Sequence, residues 1–137
     1  MDSLQIKLCD IQGRLFELSN IQQYNSESFI KTFMNSTIAE NLDASYNRMQ
    51  WAGEEYLFEE IKTQIKDKTD RFKNIYSKDI LYWIGYIYRY WHFYKNEFSK
   101  RIIKLAPIHV MRTNYKMFHT MDPENTIDDL LEIYEQR

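Results

Sequence analysis

The stretch Ser77–Lys95, SKDILYWIGYIYRYWHFYK, decides how the rest of the chain is read. It holds eight aromatic residues, and its apolar positions repeat with a helical period. Turning about 100° per residue from Ile80 brings Ile80, Trp83, Ile84, Ile87, Trp91 and Tyr94 to one side, the stripe a core-facing helix requires. The other side carries Tyr82, Gly85, Tyr86, Arg89, His92 and Phe93 instead of the Lys and Glu of a solvated face. A helix that is apolar all round is covered on all sides, either by a second layer of its own chain or by a partner. Tyr82, Tyr86, Arg89 and Phe93 follow one another at i, i+4, i+7 and i+11, so they form one line of residue types enriched at interface hot spots. Gly85 beside them leaves a notch for another backbone. This line is the expected partner-binding surface, flanked by the basic Lys100 and Arg101.

Outside this stretch the composition points the same way. The 137 residues include only 3 Gly and 2 Pro, too few turn formers for a sandwich or barrel, and they suffice for one domain with a core. The expectation is an all-α, single compact bundle of six or seven helices around the central aromatic helix. In chain order, Leu4, Leu8, Ile11, Leu15 and Leu18 mark a helix over residues 3–18, and Ser26 opens a second with Phe29, Ile30 and Phe33. Thr37 and Glu40 have capping-box spacing. They start a run whose face includes Leu42, Tyr46, Met49, Gly53 and Tyr56, reaching Ile61 with a break near 43–45. The charged stretch 62–76 reads as a solvated helix end and connector between sub-halves 1–61 and 77–137. Beyond the aromatic helix, Phe98, Ile102 and Leu105 make a short inward edge from Asn96 onward. Pro107 takes the first position of the next helix, and Asp122–Pro123 starts the last.

The net charge of −2 conceals a segregation. Residues 1–61 carry 4 Lys/Arg against 10 Asp/Glu, residues 62–119 carry 13 against 4, and the last 18 carry 1 against 6. A basic middle between acidic ends either folds back on itself or presents charged patches. The balance gives no support for a general nucleic-acid binder, and a helix-turn-helix drawn over 99–119 offers only Arg112, Asn114 and Lys116 to base edges. The single Cys9 excludes an intrachain disulfide and suits a reducing, cytoplasmic compartment. No signal peptide or membrane span is expected.

No phosphate loop, nucleophile elbow or paired-histidine motif is present. His92, His109 and His119 lack metal-ligand spacing, and Glu54, Glu55, Glu59 and Glu60 read as a solvated acidic face, so neither metal nor cofactor is expected. One pair has catalytic potential. Arg112 and His119, separated by six residues, fit the loose Arg-x(4–6)-His spacing of all-helical ribonucleases, with His as acid or base and Arg stabilising phosphorane charge. The alternative for the pair is a helix-end histidine bonded to backbone and a surface arginine.

Tyr115-x-x-Phe118-His119-Thr120, followed by Pro123, Ile127, Asp128, Asp129 and Leu130, resembles a family of small helical bacterial proteins of toxin–antitoxin-like operons. Those proteins share a Tyr-x-x-Leu-His-Thr segment and an acidic terminal helix, and are encoded beside partners resembling ADP-ribosyltransferases. The segment Phe29–Leu57 is similar to longer relatives in Gram-positive genomes and mobile elements. The resemblance is firmest over residues 80–137. Here Phe118 stands where the shorter proteins favour Leu, and the N-terminal half has no counterpart in them. It implies a non-enzymatic, antitoxin-like module that occludes a partner's active site, and it supplies no catalytic residue. The other two readings are the ribonuclease, with Arg112 and His119, and a structural or regulatory dimerisation module.

Overall fold

The computed structural model describes residues 1–66 and 70–137, and among these every regular element is helical. The α-helices are α1 (Ser3–Ile21), α2 (Ser26–Met34), α3 (Thr37–Asp43), α4 (Glu54–Lys62), α5 (Lys78–Lys95), α6 (Ser99–Leu105), α7 (Ile108–Phe118) and α8 (Pro123–Glu135), with one 3-10 turn at Arg48–Trp51. The all-α bundle is as expected, with eight α-helices among the described residues instead of the expected six or seven.

The extra helix comes from the run 37–61, which is not continuous. Ser36, rather than Thr37, caps α3 by accepting from the Ala39 amide. After Asp43 the chain leaves the helix, and Asn47 caps the 3-10 turn through the Met49 amide. Ser and Asn side chains bond nearby backbone in non-helical conformations, and two of them, Ser45 and Asn47, lie between 44 and 48. Gly53 therefore sits at the N-cap of α4, and Tyr46, expected on the core face, is 94% exposed.

Helices α1 and α5 cross at the centre of the molecule. Trp83, Ile84, Ile87 and Trp91 are buried as the stripe predicts, while Ile80 and Tyr94 are half-buried. On the opposite face of α5, α1 packs against Gly85, and Tyr82, Tyr86 and Phe93 stay half-buried. A Cβ on Gly85 would stand 2.6 Å from the Gln12 carbonyl oxygen and 2.9 Å from Gly13 Cα, and one on Gly13 would meet the Tyr82 ring at 2.7 Å. The notch at Gly85 thus admits a backbone, and the backbone is the chain's own. The Gln12 side-chain Nε2 donates to the Gly85 carbonyl at 3.0 Å across this crossing.

The core is continuous from Leu8 on α1 to Leu130 on α8, running through both sub-halves. Part of the connector 62–76 joins it, because Ile65 and Tyr76 are buried; its residues 67–69 lie outside the described ones. Asn25 donates to the Lys73 carbonyl, the Ser26 amide to the Asn74 carbonyl, and the Tyr76 amide to Ser26 Oγ. These bonds fasten residues 73–76 to the start of α2, while Thr63, Gln64, Lys66, Phe72, Lys73 and Asn74 are exposed. Among the described residues, no helix is long and apolar enough to cross a membrane.

Candidate functional site

The polar centre of the molecule is built where α1, α3, α5 and α6 meet. Arg89 of α5 is fully buried. Its Nε donates to Gln12 Oε1 at 2.8 Å, one terminal nitrogen to Asp43 Oδ1 at 2.6 Å and the other to Ser99 Oγ at 3.1 Å. Asp43 is the last residue of α3, where the helix dipole disfavours an anion, so its charge is held by what faces it. It also caps α6 from outside. Phe98 occupies the N-cap of that helix without an oxygen to offer, and the Asp43 carboxylate accepts from the Ser99 amide at 2.9 Å and the Ser99 hydroxyl at 2.8 Å. Burial lowers the Arg89 pKa and the Asp43 carboxylate opposes that shift, leaving the guanidinium charged.

Arg89 is thus a correction to the expected partner-binding line. At position i+7 from Tyr82 it faces α1, not solvent, and each nitrogen of its guanidinium bonds within this chain. Tyr82 and Tyr86 are half-buried, with the Tyr82 hydroxyl donating to Asp10 at 2.5 Å, and Phe93 is half-buried against the His92 ring. Lys100 and Arg101 are exposed on α6, Lys100 pairing with Glu40 at 3.3 Å. Phe98, expected inward, is 67% exposed because its backbone is extended ahead of α6 and lies off the helical face.

His92, one turn beyond Arg89, completes the polar centre. Its Nδ1 lies 2.6 Å from the Glu97 carbonyl, which only accepts, so Nδ1 carries the proton. The Asp43 carboxylate is 3.6 Å from the same nitrogen. Burial, with the nearby Arg89 charge, outweighs these partners and holds the His92 pKa below its ordinary value. The turn that brings Glu97 back over the ring depends on Asn96, which ends α5 in the left-handed region at φ 53°.

Above Asp43 and His92 opens a cleft of about 750 Å³ between the start of α1, the loop 44–51 and the end of α5. Its rim carries Tyr46, Arg48 and Trp51, and Trp51 is 76% exposed. On the other side of Ala44, a second groove of about 550 Å³ is lined by Glu40, Phe98, Lys100, Arg101 and Lys104.

Arg112 and His119, the candidate catalytic pair, engage different neighbours. Arg112 stacks over the Tyr76 ring at 4.5 Å, whereas His119 stacks on Tyr115 with centroids 4.5 Å apart and its Nδ1 donates to the Tyr115 carbonyl at 2.8 Å. His119 lines a groove with Tyr82, Tyr86 and Tyr115 that Arg112 does not enter. Glu55, Glu59 and Glu60 are exposed, and among the described residues no three potential ligands cluster to hold a metal. The terminal acidic helix folds back on α5: Asp128 accepts from the Tyr94 hydroxyl and pairs with Lys95, and Glu124 accepts from the Tyr90 hydroxyl.

The sequence reading missed Gln12, Asp43 and Ser99 as partners of one cation. The only signal was an arginine on an aromatic helix with no acidic residue at i±3 or i±4, which requires a counter-charge from elsewhere. No family model matches the chain, and neither a curated protein nor a solved structure is similar to it.

Proposed function

We propose that the protein is a non-enzymatic binding module, antitoxin-like in action, which docks a protein partner through the groove along α6 and thereby occludes the partner's active site. The observation that carries this reading is the pairing of an exposed aromatic with a cluster of exposed cations. Phe98 projects from the N-cap of α6, and Lys100, Arg101 and Lys104 line the same groove, with Glu40 paired to Lys100 and Asp43 held by Arg89. An aromatic anchor inside a charged rim is the arrangement that concentrates binding energy at a small centre while charge sets orientation and on-rate. The occupant that matches it is an acidic segment bearing an apolar side chain, presented by a toxin-like partner such as the ADP-ribosyltransferase-like proteins that the resemblance implies.

The test is titration of the protein against the purified product of its neighbouring reading frame by calorimetry, with that product's activity measured in parallel. Phe98→Ala and the double variant Lys100→Glu, Arg101→Glu are expected to lose roughly tenfold or more in affinity, hot-spot scale, and to release the partner's activity. Unchanged affinity and inhibition in folded variants would overturn the α6 site. Absence of any inhibition by the parent protein would overturn the antitoxin-like reading itself.

A further inference from the structure

The cleft over Asp43 and His92 has the makings of a small-molecule site, and it is independent of the α6 groove's proposed role. Its volume, about 750 Å³, lies within the range of ordinary ligand pockets. Its aromatic groups are unusual for a surface loop. Of the three tryptophans, Trp83 and Trp91 are buried and Trp51 is exposed, beside Tyr46 on the same loop and opposite Phe93 of α5. A large flat ring left in water at the mouth of a cleft offers stacking area to a planar ligand.

The polar groups of the lining narrow the ligand further. Asn47 uses its oxygen to cap the 3-10 turn, so its amide nitrogen remains as a donor. Gln5 uses its oxygen on the Asp2 amide and likewise keeps a donor. Gln50 spends its nitrogen on the Ala44 carbonyl and keeps an oxygen as acceptor. His92, protonated on Nδ1 toward Glu97, keeps Nε2 as an acceptor. Two donors and two acceptors thus line one cleft, each held in place by the bond its other end makes. Asp43 contributes little net charge, because Arg89 neutralises it at 2.6 Å. Asp2 and Arg48 add one charge of each sign to the lining, so the cleft suits a planar group with a mixed hydrogen-bonding edge, and its cation is Arg48.

We infer that this cleft binds a nucleobase, taken as a nucleoside or a nucleotide: the base stacks on Trp51, its edge meets Asn47, Gln50 and His92, and a phosphate, where present, meets Arg48. Base–aromatic stacking tolerates every base because each has a π face, and the edge groups supply the choice among them.

The experiment uses the intact protein and the fluorescence of Trp51, the one tryptophan exposed to quenching. Adenosine, guanosine, cytidine and uridine and their 5′-monophosphates are titrated singly to millimolar concentration, with calorimetry as the second readout. The expected result is saturable quenching by at least one of them. Trp51→Ala, a change at an exposed position that leaves folding intact, is expected to weaken calorimetric binding about tenfold, the factor that ~1.4 kcal/mol of stacking represents. Arg48→Ala is expected to remove the preference for the monophosphate over its nucleoside. Absence of saturable binding by all eight compounds overturns the inference. So does binding that Trp51→Ala leaves unchanged, and so does binding confined to single-stranded oligonucleotides, which would make the loop part of a polymer-binding surface instead. Loss of the α6 interaction in Phe98→Ala leaves these titrations unaffected, so the two proposals fail separately.

Discussion

Arg89 shows most plainly how one residue organises this protein. Taking an arginine and an aspartate out of water costs several kcal/mol per ion, and the mutual attraction offsets that only when the remaining hydrogen-bonding capacity is met. Here Gln12 and Ser99 meet it. Arg89→Met is therefore expected to destabilise the fold by about 3–5 kcal/mol in chemical denaturation, because Asp43 is left buried and uncompensated. The double variant Arg89→Met, Asp43→Leu is expected to recover part of that loss. A single variant within about 0.5 kcal/mol of the parent would show that the pair is solvated in solution. His92 adds a dependence on pH. Its folded pKa lies below the ordinary value of 6.5, so the unfolded chain takes up a proton that the folded ring resists. The contribution is complete above about pH 6.5 and is lost as pH falls from there toward the folded value. The melting temperature is expected to fall on acidification from about pH 7.5 to 5.5, with a shallower fall in His92→Gln. Equal slopes in the two proteins would remove His92 from the account.

At the scale of the element, the α1–α5 crossing depends on two glycines. A methyl group on Gly85 meets carbonyl backbone at 2.6 Å, a contact that no rotamer relieves, so α1 must shift. Gly85→Ala is expected to cost about 1–3 kcal/mol, the usual penalty of overpacking, and to loosen the Arg89–Gln12 bond that the same crossing holds. Hydrogen exchange along α1 would report the loosening directly. The complementary face is read by Trp91→Ala. Trp91 is fully buried, and truncating it is expected to cost about 3–5 kcal/mol. Helix ends are less demanding. Asp122, which accepts from the Asn125 amide ahead of Pro123, is expected to contribute about 1 kcal/mol as a cap, measured as Asp122→Ala.

Over the whole molecule, charge segregation is partly used up internally and partly left outward. Arg89–Asp43, Lys100–Glu40 and Lys95–Asp128 each join the basic middle to an acidic end. The two exposed pairs are each worth about 0–1 kcal/mol, so they orient more than they stabilise. Arg101 and Lys104 remain outward on α6. Lys100→Glu, Arg101→Glu is thus expected to leave denaturant stability within about 1 kcal/mol while abolishing the salt dependence of partner association. A large stability change would assign those cations to the fold instead of to an interface.

What the sequence determined by itself was the class of fold and most of the buried positions. Scarce glycine and proline, and apolar residues at helical spacing, are local properties of the chain, and Trp83, Ile84, Ile87 and Trp91 followed from spacing alone. The cap at Asp122–Pro123 was legible for the same reason, since a cap is settled within four residues, whereas α2 is capped by Asn25, one residue before the expected Ser26. Tertiary structure decided everything that required two distant segments. The outer line of α5 looked like an interface because periodicity places residues on a face without saying what lies against it. Only the approach of Gly13 to Gly85 showed that α1 lies against Gly85 and Arg89, leaving Tyr82, Tyr86 and Phe93 half-buried. The same holds for the cleft. Asp43 is 46 residues from Arg89 and 56 from Ser99, and no pattern along the chain links them. Burial of a guanidinium demands partners, yet hydrogen-bonding chemistry alone does not name them; the packing of α1, α3 and α6 around α5 does.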